Sequence, residues 1–202
     1  MTAVLTNIKQ RVERAFSPLG DAIAATGLKP NHITVLGFAL NASSVALLAW
    51  TGSLPSFLAV FTLASLMDVL DGYVARKTGR VSAFGAFLDS TLDRVSDTLT
   101  SFALMLVGVA SAYETIFLVL GEYLVSYTRA RAESLGVKMA GIGIAERAER
   151  LLLKFSVFFA ILIGASIVAR AVLWVLILVT YITVLQRVAH AYRSLTRATR
   201  RE

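Results

Sequence analysis

Between Met67 and Arg94 the chain reads MDVLDGYVARKTGRVSAFGAFLDSTLDR, which sets four carboxylates, Asp68, Asp71, Asp89 and Asp93, among mostly apolar residues. Asp68 and Asp71 are three residues apart and Asp89 and Asp93 four apart, so on helices each pair projects from one face. Gly72 and the polar turn Lys77-Thr78-Gly79-Arg80 separate the pairs. Two helices joined at that turn run antiparallel and can aim all four acids into one space. Oxygen ligands clustered in this way suit a hard divalent cation, Mg2+ or Mn2+, whereas four unpaired carboxylates inside a membrane would be very costly.

The elements that must position these acids follow from a composition of 56% hydrophobic and only 16% charged residues over 202 positions. Soluble domains carry about a quarter charged residues, so the expectation is an all-α integral membrane protein. Since roughly 20 apolar residues cross a bilayer, the pattern predicts six transmembrane helices. They run from Asn31 to about Gly52, Leu54 to about Arg76, Ser82 to Val109, Tyr113 to about Arg131, Arg147 to Ala169, and Ala171 to about His190. Asp68 and Asp71 then end the second span and Asp89 and Asp93 begin the third, inside the membrane but close to the face bearing the Lys77–Arg80 turn. Ahead of the spans, Val4, Ile8, Val12, Phe16, Leu19 and Ile23 recur at helical spacing with charges between them, which predicts an N-terminal amphipathic interfacial helix. A solvated helix packed on the domain is the plainer alternative. Ser17-Pro18 restarts that helix as N-cap and first helical residue, and the charges argue against a cleavable leader. The expected layout is a juxtamembrane arm over 1–30, a six-helix catalytic domain over 31–193 and a basic tail over 194–202.

A net charge of +7 would suit nucleic acid, but its placement gives another reason. The basic residues gather before the first span, after the second, around the fourth-to-fifth connection and after the sixth, while the opposite loops near Gly52, Ser111 and Ala169 hold only Arg170. With an even number of spans this asymmetry puts both termini and the acidic site in the cytoplasm of a multi-pass cell-membrane protein, with lipid and not nucleic acid as partner. No cysteine is present, which excludes disulfides and thiolate chemistry, and His32 and His190 are too far apart in sequence to suggest a histidine-rich metal site.

Written out, the acidic stretch is Asp68-x2-Asp71-Gly72-x2-Ala75-Arg76-x8-Gly85-x3-Asp89-x3-Asp93, which resembles at every fixed position the signature of the CDP-alcohol phosphotransferases (CDP-alcohol phosphatidyltransferases). The resemblance implies displacement of CMP from a CDP-linked lipid by the hydroxyl of an acceptor, with two metal ions, Mg2+ with Mn2+ as the alternative, and a homodimer. On that reading Asp68, Asp71, Asp89 and Asp93 hold the metals, and Asp93 also acts as general base on the acceptor hydroxyl. The alternative is that these acids pair only with Arg76, Arg94 and nearby cations. The CDP-lipid would be met by Asn31, His32, Ile33, Thr34, Gly72, Arg76, Ser82 and Gly85. Several of these have a plainer role as well: Pro30 to Thr34 as a capping turn, Ser82 as an N-cap, Gly85 as a helix-packing residue. Asp97, one turn past Asp93, is not assigned as a ligand.

Tyr127 to Leu153 concentrates cations on the cytoplasmic side, and its GIAERAERL segment resembles the branch that accepts inositol phosphate, the phosphatidylinositol phosphate and archaetidylinositol phosphate synthases. That likeness assigns Lys138, Arg147 and Arg150 to the acceptor phosphate, with Arg193 or Arg187 as a further ligand; positive-inside anchoring is the other account. The expected reaction transfers a phosphatidyl or archaetidyl group to 1D-myo-inositol 3-phosphate. Glycerol 3-phosphate, giving phosphatidylglycerophosphate, is the nearest alternative acceptor. A divalent-cation transporter explains the acids but not Gly72, Arg76 and Gly85 at their spacings.

Overall fold

The computed structural model describes residues 17–199, all of whose regular structure is helical. The expectations for residues 1–16 and for the last three positions lie outside that range. By Cα packing the chain falls into two units, one ending at Leu99 and the other beginning at Thr100.

In the first unit a helix over 17–25 (α1) turns at Gly27 into α2 (Pro30–Thr51), whose first turn carries Pro30, a residue that needs no backbone donor there. Gly52 ends α2 in the left-handed region, its N–H donating to the Leu48 carbonyl. Ser53 then caps α3 (Leu54–Lys77) by accepting from the Ser56 N–H. α2 and α3 pack closely through Gly37, where a Cβ would stand 3.0 Å from that of Met67. Ile33, Leu70 and Val74 are the fully buried centre of this unit, with Ile23 and Ala24 of α1 packed on them. α3 closes at the expected polar turn, and α4 (Ala83–Leu106) starts where Ser82 Oγ accepts from the Gly85 N–H at 3.0 Å.

In the second unit, which takes the end of α4, Ser111 and Glu114 form a reciprocal capping box at the start of α5 (Ala112–Ser134). α6 (Arg147–Leu162) and α7 (Ser166–Thr199) follow. Gly121 lets α5 approach α7, since a Cβ there would lie 2.9 Å from the Tyr181 ring. Glu122, Arg150 and Lys154 are all but fully buried, Lys154 Nζ standing 2.9 Å from one Glu122 oxygen while Ser101 Oγ donates to the other at 2.9 Å.

One expected boundary moves. The sequence predicts the fifth span at 147–169 and the sixth from 171, but the break comes at 163–165, where Gly164 (φ +77) turns the chain. Of the six long helices, α2, α3 and α7 are long and apolar enough to cross a membrane. In α4 and α5 the charges fall inside the stretch that a span would need instead of at its end, and α6 is 16 residues long.

Candidate active site

Asp68, Asp71, Gly72 and Arg76 follow one another at helical spacing over the last turns of α3, and Gly85, Asp89 and Asp93 do so over the first turns of α4. Asp68, Asp89 and Asp93 each contribute one carboxylate oxygen to a group whose members lie within 4.8 Å of one another. Oxygens on opposite sides of a cation at about 2.0–2.6 Å stand roughly 4–5 Å apart, so this triad is at ligand spacing for Mg2+, Mn2+ or Ca2+. Asp71 stands outside the triad. It is 6% exposed, Thr34 lies against it, and its Oδ2 is buried without a hydrogen-bond partner, an unmet acceptor beside a cluster of acids. A buried orphan oxygen of this kind is what a further cation would satisfy. The Arg94 guanidinium lies 3.6 Å from Asp93.

Next to the acids opens a pocket of about 330 Å3 whose lining includes Asn31, Thr34, Asp71, Arg76, Ser82 and Asp89. Its two glycines differ. A Cβ on Gly72 would meet only the Arg76 Nη1, at 3.3 Å, so the space over Gly72 belongs to the pocket and the Arg76 guanidinium folds back over it. A Cβ on Gly85 would stand 3.0 Å from both Asn31 Oδ1 and Ser82 Oγ, so that glycine also admits protein atoms. Ser82 lines the pocket while capping α4, which leaves its hydroxyl proton available.

The sequence-derived donor residues therefore separate. Asn31, Thr34, Gly72, Arg76, Ser82 and Gly85 share the pocket wall. Ile33 is 1% exposed in the core of the unit, and His32 is exposed away from that wall. Sequence reasoning missed Arg80, which lines the pocket although it had been counted only as a topology signal. Lys77 is turned elsewhere: its ammonium pairs with Asp21 of α1, and Tyr73 donates to the same carboxylate at 2.6 Å. These two donors, Lys77 foremost, hold the Asp21 carboxyl below its ordinary range.

The acceptor candidates lie in the second unit and are engaged differently from one another. Arg150 is 2% exposed, its Nε 3.5 Å from Glu122 and its Nη1 donating to the Ala145 carbonyl at 3.0 Å. Arg187, equally buried, donates to the Val125 and Ile142 carbonyls at 2.6 and 2.9 Å. Lys138 and Arg193 are exposed and Arg147 is half-buried. The buried Glu122 and Lys154 had been passed over, although charged residues amid apolar helical runs were the signal.

A model of the CDP-alcohol phosphatidyltransferase family matches residues 28–186. The chain is 36% identical over 194 residues to the archaetidylinositol phosphate synthase of Pyrococcus horikoshii, covering 95% of this chain and 98% of that one. It is 34% identical over 192 residues to the phosphatidylinositol phosphate synthase of Streptomyces avermitilis, covering 89% and 79%. Among solved structures it is similar to the Mycobacterium tuberculosis phosphatidylinositol phosphate synthase with CDP-DAG bound, at a TM-score of 0.73 and 29% identity over 89% of this chain and 94% of that one. The manganese and citrate complex of the same enzyme matches at a TM-score of 0.71 and 29% identity, over 87% and 88%.

Proposed function

This chain belongs to the CDP-alcohol phosphatidyltransferase family, and we infer that it transfers a phosphatidyl or archaetidyl group from a CDP-activated lipid to 1D-myo-inositol 3-phosphate, releasing CMP. It is a metal-dependent membrane transferase of phospholipid biosynthesis. The observation that carries the reading is the convergence of Asp68, Asp89 and Asp93 beside a pocket whose Gly72 wall is met only by the Arg76 guanidinium. The names of relatives on both the archaeal and the bacterial side support inositol phosphate as acceptor.

In this proposal Asp68, Asp71, Asp89 and Asp93 hold two Mg2+ ions, Mn2+ being able to replace them. Bound divalent cations neutralise the diphosphate, polarise the phosphorus under attack and stabilise the leaving CMP. Arg76 presents a guanidinium fork to a phosphate, and bare Gly72 lets the diphosphate approach the α3 backbone. The Asp93 carboxylate takes the proton of the acceptor hydroxyl as its oxygen attacks the lipid-linked phosphorus. The new O–P bond forms there, and the bond between that phosphorus and the bridging oxygen breaks, with the electron pair leaving on CMP. Lys138, Arg147, Arg150 and Arg193 meet the acceptor phosphate. Among them the exposed Lys138 and Arg193 have the freer side chains, whereas Arg150 is committed to Glu122. The protein works as a multi-pass homodimer with six spans and both termini and the site on the cytoplasmic side.

The test is CMP release by purified protein in detergent with Mg2+ and a CDP-lipid, offered inositol 3-phosphate, glycerol 3-phosphate, free inositol or serine separately. Release with inositol 3-phosphate alone, abolished in Asp93→Asn, is the expected result. Release with glycerol 3-phosphate alone would keep the acidic site and discard the acceptor; full activity of Asp93→Asn would remove the general base.

A further inference from the structure

The end of α3 and the turn after it present three cations, Arg76, Lys77 and Arg80, and the fold divides their labour. Lys77 is spent on Asp21, and Arg76 is the motif's own phosphate fork. Arg80 stands outside the motif's fixed positions, yet it lines the same pocket.

Two separate locks fix it. On the backbone, Gly79 in the left-handed region (φ +65) lets the Arg80 N–H reach the Ala75 carbonyl at 3.0 Å and its own N–H reach that of Arg76 at 3.4 Å. This is the double closure of a Schellman helix end, and it fixes where the Arg80 side chain leaves the chain. On the side chain, Nη1 donates to the Gly27 carbonyl at 3.1 Å. Gly27 is itself held in the turn that ends α1, its N–H donating to the Ala24 carbonyl at 3.2 Å. An exposed arginine ordinarily loses much rotamer freedom when it grips a ligand; this one is largely ordered beforehand. A guanidinium has five N–H donors, so one bond to Gly27 leaves the others for a ligand.

The ligand chemistry follows from what else lines the cavity. Asp71 and Asp89 repel a bare diphosphate, and one guanidinium fork saturates on one phosphate group. We propose that Arg80, held over the pocket by the carbonyl of Gly27, is a second guanidinium ligand of the donor's diphosphate, which makes the helix before the first span part of the donor site. The proposal rests on the reading that this pocket takes a CDP-activated lipid.

The experiment measures the affinity of the detergent-purified full chain for CDP in the presence of Mg2+, and for Mn2+ alone by its electron paramagnetic resonance signal. Wild type is compared with Arg80→Ala and with Arg80→Gln, which keeps most of the stem. Loss of a charge-assisted contact is expected to weaken CDP binding roughly 10- to 100-fold in both variants while Mn2+ binding stays as in wild type. CDP affinity within twofold of wild type in either variant overturns the proposal. So does parallel loss of CDP and Mn2+, which would make Arg80 a structural residue. If wild type itself binds Mn2+ but not CDP, the donor reading fails, and the role of Arg80 fails with it.

Discussion

Gly72 and Gly85 belong to one motif but are kept free of a side chain for different reasons, and alanine separates them. In a helix interior alanine is favoured over glycine by about 1 kcal/mol. At Gly72 nothing opposes that gain except the movable tip of Arg76, so Gly72→Ala should unfold at the wild-type temperature or slightly above. It should nonetheless lose CDP affinity tenfold or more, because the methyl group occupies pocket space. At Gly85 the methyl group would crowd Asn31 and Ser82, and overpacking of this kind costs about 1–3 kcal/mol. Gly85→Ala is therefore expected to unfold at or a few degrees below wild type, and scanning fluorimetry beside CDP titration reads both variants. The same pair marks how far the site is legible in the sequence. The acids and glycines could be read because their chemistry depends on residue type and spacing. Ile33 and His32 could not be sorted from Asn31 and Thr34, because which of four successive helical residues faces a pocket depends on the helix's rotation against its neighbours. Arg80 was hidden for a similar reason: its direction is set by a helix-end closure and by a carbonyl fifty-three residues away.

At the scale of elements, α5 carries ion pairs with very different consequences. Arg129 and Glu133 pair across one turn at 3.0 Å, both side chains more than 40% exposed. Glu122 is 3% exposed and answers two buried cations, Lys154 and Arg150. Removing it leaves both in an apolar interior, so Glu122→Ala should destabilise the protein by about 3–5 kcal/mol. Arg129→Ala should cost less than about 1 kcal/mol. Thermal unfolding in one detergent compares them; equal midpoints would mean that Glu122 does not hold α6 to α5. Helix order and type followed from hydropathy alone, as did the turn before α4. The α6–α7 break did not, because the stretch from Ile161 to Val179 is apolar except for Arg170, which marks a boundary in the hydropathy pattern although it lies within α7, whereas Gly164 hardly interrupts that pattern. A glycine turn among apolar residues is set by packing, which a hydropathy pattern does not record.

For the whole molecule, the same asymmetry of charge that argues against nucleic acid predicts how the chain lies in the bilayer. Arg170, near the start of α7, is the one cation that the sequence sets opposite the basic side, and the fold answers it locally: its Nη1 is 2.7 Å from the Val109 carbonyl and 2.9 Å from Glu114. A cation neutralised where it stands exerts little pull on orientation, so Arg170 does not offset the charge asymmetry of the basic side. The absence of native cysteine makes this directly measurable, since any single introduced thiol is the only one present. In intact cells, a membrane-impermeant maleimide should label Gly52→Cys and Ser111→Cys, and should label Thr78→Cys and Ala140→Cys only after the membrane is opened. Among the described residues α2, α3 and α7 are the helices long and apolar enough to declare themselves as spans, so the labelling also tests whether charged α4 and α5 cross. If α4 failed to cross, Thr78 and Ser111 would react from the same side. Asp89 and Asp93 would then lie at the surface instead of within the bilayer, and for those two the membrane cost that first marked the acids as a metal site would no longer argue for one.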